Sequence, residues 1–126
     1  MSYLWVTIGS ALGGLLRYTI TRLTLTYSIG FPFGTILINV LGSFIIGYFG
    51  TLTLQNGRFP ASDNLRLFVM VGICGGFTTF SAMSLDTFIL LLQGDIPLAG
   101  LYLVLVVALS LVAAWVGHMV AARLNE

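Results

Sequence analysis

The chain contains no lysine at all. Arg17, Arg22, Arg58, Arg66 and Arg123 carry its positive charge, and Asp63, Asp86, Asp95 and Glu126 its negative charge. Charged residues make up 7% of the 126, where a soluble domain carries about 25%. The formal net charge of +1 offers nothing to a nucleic-acid partner. Cys74 is the single cysteine, so no intrachain disulfide can form. His118 is the single histidine, and Glu126 the single glutamate. A hydrolytic triad or a multi-ligand metal site is hard to build from so few groups. Neither a Walker loop nor a Rossmann fingerprint is present. These absences argue against an enzyme. What is abundant is apolar: 58% of the residues are hydrophobic, with a mean hydropathy of +1.05. The composition is that of an all-α integral membrane protein, read as a single domain over residues 1–126.

Four apolar spans are expected: Tyr3–Leu23, Phe33–Leu54, Leu65–Leu92 and Pro97–Ala122. Each reaches the roughly 20 residues a helix needs to cross a bilayer. Pro32, Pro60 and Pro97 fall between spans or at a span start, where a helix tolerates proline. The Gln55–Asn64 connection collects turn and cap residues, with Asp63 expected as N-cap of the third span and Asp95 of the fourth. Tyr3, Trp5 and Trp115 suit interfacial anchoring. Met1-Ser2-Tyr3 lacks the basic start of a secretory signal, so the first span is expected to stay in the mature protein.

The third span is interrupted. Gly75-Gly76-Phe77-Thr78-Thr79-Phe80-Ser81 is polar and glycine-rich amid leucine, valine and isoleucine. Broken backbone at membrane depth is tolerated only where protein buries it or where it lines a watery cavity. A broken span therefore points to a binding site near the midplane.

Four spans place both termini on one side, with Arg58, Arg66 and Arg123. Arg17 and Arg22 fall on the other. The positive-inside bias is nearly nil, which leaves two readings. One is a weak but unique orientation. The other is dual topology, with copies inserted both ways up. Four thin helices leave little room for a lumen, so a conduction path forms more easily between subunits. The small-residue pairs Gly9/Gly13, Ser43/Gly47 and Gly72/Gly76 have the spacing of close helix contact, for which ordinary packing suffices as a reason.

The second span carries Thr35, Asn39, Ser43, Gly47 and Thr51 at successive i+4 steps, one polar and small stripe. Asn39 needs hydrogen-bond partners in a dry setting. It serves either as interhelical glue or as an N–H donor to a passing anion. The fourth span places Tyr102, Ser110 and His118 on one face, with Val106 and Ala114 between. Ser110 has the option of bonding back to its own helix. The third span adds Thr78, Thr79, Ser81 and Ser84 among Phe77, Phe80 and Met83. Phenylalanine within a membrane usually packs, but its positive edge also favours an anion. Asp86 is the one acid inside a span, and either faces a vestibule or pairs with an arginine.

These residues resemble the Fluc (CrcB) family of bacterial fluoride channels, over essentially the whole chain. The resemblance rests on Gly13-Gly14-Leu15-Leu16-Arg17-Tyr18, on Gly34-Thr35 through Asn39, and on the block from Gly72 to Ser81. It implies an antiparallel, dual-topology homodimer of four-helix subunits with two fluoride pores. It implies a structural sodium ion on the twofold axis, held by the backbone carbonyls of Gly75 and Thr78. It places Asn39 and Phe80 in the pore, Arg17 in the vestibule, and Tyr102 and Ser110 on a polar track. Asp86 matches the family's acid, shortened from glutamate. Thr79 and Ser81 join as candidate pore hydroxyls. Two departures stand out. Met83 occupies the place of a second pore phenylalanine and has no aromatic edge. Val106 occupies the place of a track serine and cannot donate a hydrogen bond.

The resulting expectation is a passive channel that exports fluoride across the bacterial cytoplasmic (inner) membrane. The competing reading is a small dual-topology, proton-coupled drug or cation exporter, in which Asp86 would exchange the proton. A non-transporting membrane scaffold is the third.

Overall fold

The computed structural model describes all residues, Met1–Glu126. Helix α1 (Ser2–Leu23) leads through a 3-10 turn (Leu25–Ser28) to α2 (Phe33–Leu52). A short α3 (Asp63–Arg66) continues as a π-helical segment (Leu67–Cys74) and ends in the single turn α4 (Gly75–Phe77). After a break come α5 (Phe80–Leu92) and α6 (Ile96–Leu124). The spans expected from sequence agree to within about two residues, the usual uncertainty of helix ends. The widened π turns have no counterpart in the sequence expectation.

Three segments are long and apolar enough to cross a membrane: Phe33–Leu52, Asp63–Leu92 and Ile96–Leu124. Helix α1 has the length, at 22 residues, but not the apolarity. Its second half carries Arg17, Thr19, Thr21 and Arg22. Thr19 and Thr21 return their hydroxyls to the carbonyls of Leu15 and Arg17, which lowers the cost of burying them.

Side chains close the helix ends. Ser62, not Asp63, caps α3: its Oγ accepts from the Leu65 N–H at 3.2 Å. Asp63 sits one place later, where its carboxylate complements the helix dipole. Asp95 holds the N-cap position of α6 but makes no side-chain cap bond. The Ser28 hydroxyl accepts from Gly34 N–H at the start of α2. At the other end of α2, Arg66 donates to the Gly50 carbonyl and Asn125 Nδ2 to the Thr51 carbonyl. The Gly50 carbonyl would otherwise lack a partner, and that of Thr51 has only a long bond of 3.5 Å from the Leu54 N–H.

Two helix contacts organise the molecule. The first joins α1 to the π segment and α4. A Cβ added to Gly9 would overlap the Phe68 carbonyl, and one on Gly13 the Ile73 carbonyl. A Cβ on Gly72 would lie 2.8 Å from Gly9 Cα, and one on Gly76 2.5 Å from the Ser10 carbonyl. The paired small residues thus face each other and let the backbones touch. The second contact joins α2 to α6, which run parallel in a constant register. Thr51 Oγ1 lies 2.7 Å from His118 Nδ1, across a separation of 67 positions. Gly47 meets the Ala114 carbonyl at the same offset. At the same offset again, Thr35 and Tyr102 both bond Asp86. The two stripes read separately in the sequence are therefore one seam.

The buried cluster sits beside that seam. Met83, Leu90, Ala99, Tyr102 and Val106 pack together, with Phe31 edge-on to Tyr102 at 5.8 Å. Tyr102 is 0% exposed. Large apolar side chains such as Leu15, Val104, Leu111 and Trp115 face outward, as lipid contact allows. The bonds of Asn125 with Thr51 and Arg58, and the edge-on contact of Trp5 with Phe68, bring both termini to the end that holds Arg58 and Arg66.

Candidate functional site

The break between α4 and α5 is held open by two side-chain oxygens. In a continuous helix the Thr79 N–H would bond the Gly75 carbonyl. Instead it donates to Asn39 Oδ1 at 3.0 Å. The Ala82 N–H would bond the Thr78 carbonyl, but it donates to Thr79 Oγ1 at 3.1 Å, an N-cap bond. Thr78 and Thr79 are accordingly extended, with ψ of 155° and 120°. Helical bonds are thereby withdrawn from the Gly75 and Thr78 carbonyls. A Cβ added to Gly75 would meet nothing within 4 Å, so this backbone faces open space.

Asn39 is fully engaged. Its Nδ2 donates to the Thr35 carbonyl at 3.0 Å and to the Thr79 carbonyl at 3.3 Å. By holding both the N–H and the carbonyl of Thr79, it stitches α2 to the two peptide units that flank this residue. The interhelical role weighed for it is therefore visible in the geometry. Donation to an anion would draw on the longer bond.

Arg17 lies beside the same break. It is half-buried, with Nε 3.4 Å from the Gly76 carbonyl. That carbonyl would receive the Phe80 N–H in an unbroken helix. The guanidinium thus covers an oxygen that the break exposes. Phe80 projects outward and is 77% exposed. Thr79 Oγ1 and Ser81 Oγ are 3.0 Å apart on the same outer face. Thr78 bonds back to the Cys74 carbonyl at 2.8 Å, and Ser84 to that of Phe80 at 3.0 Å.

An open cavity of about 400 Å³ lies along the break. Asn39, Ser43, Thr78, Thr79 and Ser110 supply its polar lining, and Phe80, Met83 and Val106 part of its apolar lining. Met83 is buried within the protomer, unlike Phe80. The two positions therefore present different surfaces. Ser110 makes no bond back to its helix: its Oγ is buried without a partner.

Tyr102 and Asp86 lie beyond the cavity wall. Asp86 Oδ2 accepts from Thr35 Oγ1 at 2.7 Å and from Tyr102 OH at 3.0 Å. The pairing with an arginine considered for Asp86 gives way to two hydroxyls. Its carboxylate also borders two smaller cavities, of about 250 and 200 Å³, under the α1–α2 connection. Thr35 was visible in the sequence only as part of a stripe, and the i+4 spacing was the available signal. The tight place of Gly42, where a Cβ would overlap Thr78 Cγ2, had no such signal.

A broken span, two carbonyls without helical partners and a cavity with a few hydrogen-bonding side chains on an apolar wall are the parts of an ion path. The family model described as CrcB-like protein, Camphor Resistance (CrcB), matches residues 4–118. The chain belongs to the CrcB family. Similar chains share about half their residues with it. One from Methylocella silvestris is 52% identical over 127 residues, covering 100% of this chain and 97% of its own. One from Methylobacterium radiotolerans is 55% identical over 120 residues, covering 95% and 84%. One from Paramagnetospirillum magneticum is 49% identical over 127 residues, covering 100% and 99%. Each of the three is named fluoride-specific ion channel FluC. With its helical fold and three membrane-capable segments, this CrcB chain is an all-α, multi-pass membrane protein.

Proposed function

We propose that this chain is a passive, fluoride-selective channel of the bacterial cytoplasmic membrane, and that it works as an antiparallel homodimer with two pores. It is a channel and not an enzyme. The names of its CrcB relatives support the ion. The observation that carries the mechanism is the broken third span, with the Gly75 and Thr78 carbonyls released from helical bonding.

Released carbonyls facing lipid would cost several kcal/mol each, of order 2–7. A second copy laid against the break removes that cost. Phe80, exposed on the same face, then meets protein instead of lipid. All four long segments, α1 included, cross the bilayer in this arrangement, and the near-even arginine count lets the copies insert both ways up.

The released oxygens fit a hard monovalent cation, since unwound carbonyls are the ligands that sodium finds in broken membrane helices. Gly75 and Thr78 would hold it, with the same pair from the second copy. Bound there, sodium supplies positive charge and a fixed link between protomers.

Fluoride is small and strongly hydrated, so donors must replace its water. Asn39, Thr79, Ser81 and Ser110 are the donors along the path, with the ring edge of Phe80 beside them, and Tyr102 joins them where an ion draws its hydroxyl off Asp86. Met83 contributes an apolar wall. Arg17 raises the anion concentration beside the break. Asp86 is held by Thr35 and Tyr102 at the path's other end. Larger, weaker acceptors such as chloride gain less from the same donors. The decisive test is fluoride release from loaded liposomes. Verified folded protein that releases no fluoride refutes the proposal.

A further inference from the structure

The parallel seam of α2 and α6 has five rungs, each joining residues separated by the offset of 67 that Thr51 and His118 display. At one end Thr51 and His118 satisfy each other. Next, Gly47 closes directly on the Ala114 backbone. At the far end Thr35 and Tyr102 converge on Asp86. Asn39, opposite Val106, is engaged by the break. The remaining rung is Ser43 with Ser110. Both line the cavity along the break. Ser110 Oγ is buried with no partner. Ser43 stands one turn from Asn39, and its hydroxyl bonds nothing in the chain.

Other hydroxyls on the spans bond back to a carbonyl four residues earlier, as at Thr7, Thr19, Thr21, Thr78, Ser84 and Thr87, or reach a side chain, as Thr35 reaches Asp86 and Thr51 reaches His118. A hydroxyl held that way has spent its only proton. Two unspent protons on the lining of one mainly apolar cavity are free to point at one acceptor.

We infer that Ser43 is a further anion-coordinating residue, acting with Ser110 as a two-walled donor step. The inference rests on the channel reading and deepens it. Where Val106 leaves α6 without a hydroxyl, α2 supplies one a rung away. The occupant is a small, strongly basic halide, because two lone hydroxyl protons suit a compact acceptor better than a large, diffuse one. Met83 and Val106 keep the neighbouring wall dry, which strengthens both bonds.

The test is fluoride efflux from liposomes by the unaltered chain, Ser43→Ala, Ser43→Cys and the Ser43→Ala/Ser110→Ala pair. Alanine preserves the small size that helix packing needs, so a packing role alone predicts normal flux. Loss of a hydrogen bond to a charged acceptor slows passage about ten- to a hundredfold. Ser43→Ala is expected to show that loss, and Ser43→Cys, a weaker donor of similar shape, an intermediate one. The double variant is expected to lose less than the product of the single losses, because the two hydroxyls share one ion. Flux within twofold of the unaltered chain for folded Ser43→Ala overturns the inference. If alanine fails to fold, normal flux in Ser43→Cys overturns it. Absence of fluoride flux in the unaltered chain refutes the channel reading itself, and this inference with it.

Discussion

Replacing Asn39 by alanine removes three hydrogen bonds at once: two donated by Nδ2, to the Thr35 and Thr79 carbonyls, and one accepted by Oδ1 from the Thr79 N–H. The bond to Thr35 lies within α2, whose own ladder survives its loss. The two bonds to Thr79 are different, because they hold the break. An interhelical bond in a membrane contributes ~0.6–2 kcal/mol. A buried backbone group left unpaired costs ~1–3 kcal/mol. The Thr79 N–H can recover part of that by returning to the Gly75 carbonyl, which straightens the helix and withdraws an oxygen from the proposed cation site. Asn39→Ala should therefore destabilise the protein by about 2–4 kcal/mol. Fluoride flux should fall at least about tenfold, since ~1.4 kcal/mol at the path already produces that. Denaturation in detergent, monitored by helical signal, reads the first effect, and liposome efflux the second. A variant that melts with the unaltered protein and conducts normally would refute the assignment of the break to Asn39.

Three other substitutions separate the parts of the account. Phe80→Ile should abolish most flux while leaving protomer stability almost unchanged, because the ring is 77% exposed; a large melting shift would place the ring in the protomer's own packing instead. Gly75→Ala fits the protomer, where nothing lies within 4 Å of the new Cβ. It should weaken the dimer and its sodium dependence on gel filtration, and an unaffected dimer would remove the second copy from that face. Gly13→Leu should destabilise by about 1–3 kcal/mol or more, since even a Cβ there overlaps the Ile73 carbonyl; normal folded yield would contradict the close α1 contact.

Much of this architecture is legible in the chain because the membrane restricts the choices. Apolar runs long enough to span must be helices, and Pro32 and Pro97 mark where two of them begin. The break announces itself through Gly75-Gly76 and the threonines after it. The i+4 spacing of Thr35, Asn39, Ser43, Gly47 and Thr51 shows a seam, and that of Tyr102, Val106, Ser110, Ala114 and His118 shows another. That the two zip together is a tertiary fact that neither stripe contains. The same holds for Asp86, whose partners lie 51 and 16 positions away. The sequence does not single out the cap at Ser62, because Ser62 and Asp63 are adjacent and both are good caps, so local preference does not choose between them. The shortfall of α1 arises from Arg17, Thr19, Thr21 and Arg22, which are masked by the Leu15, Leu16, Ile20 and Leu23 among them. The π turns of Leu67–Cys74 fall where Gly9 and Gly72 bring two backbones together, and the segment's own apolar sequence does not record that pressure.

The central claim is that this chain lets fluoride, and not chloride, cross a bilayer. Efflux measured in parallel from liposomes loaded with potassium fluoride or potassium chloride, with a potassium ionophore to carry the countercharge, addresses it directly. The account predicts rapid fluoride release with chloride held back. Equal release of both ions, or release of neither by folded protein, would contradict it.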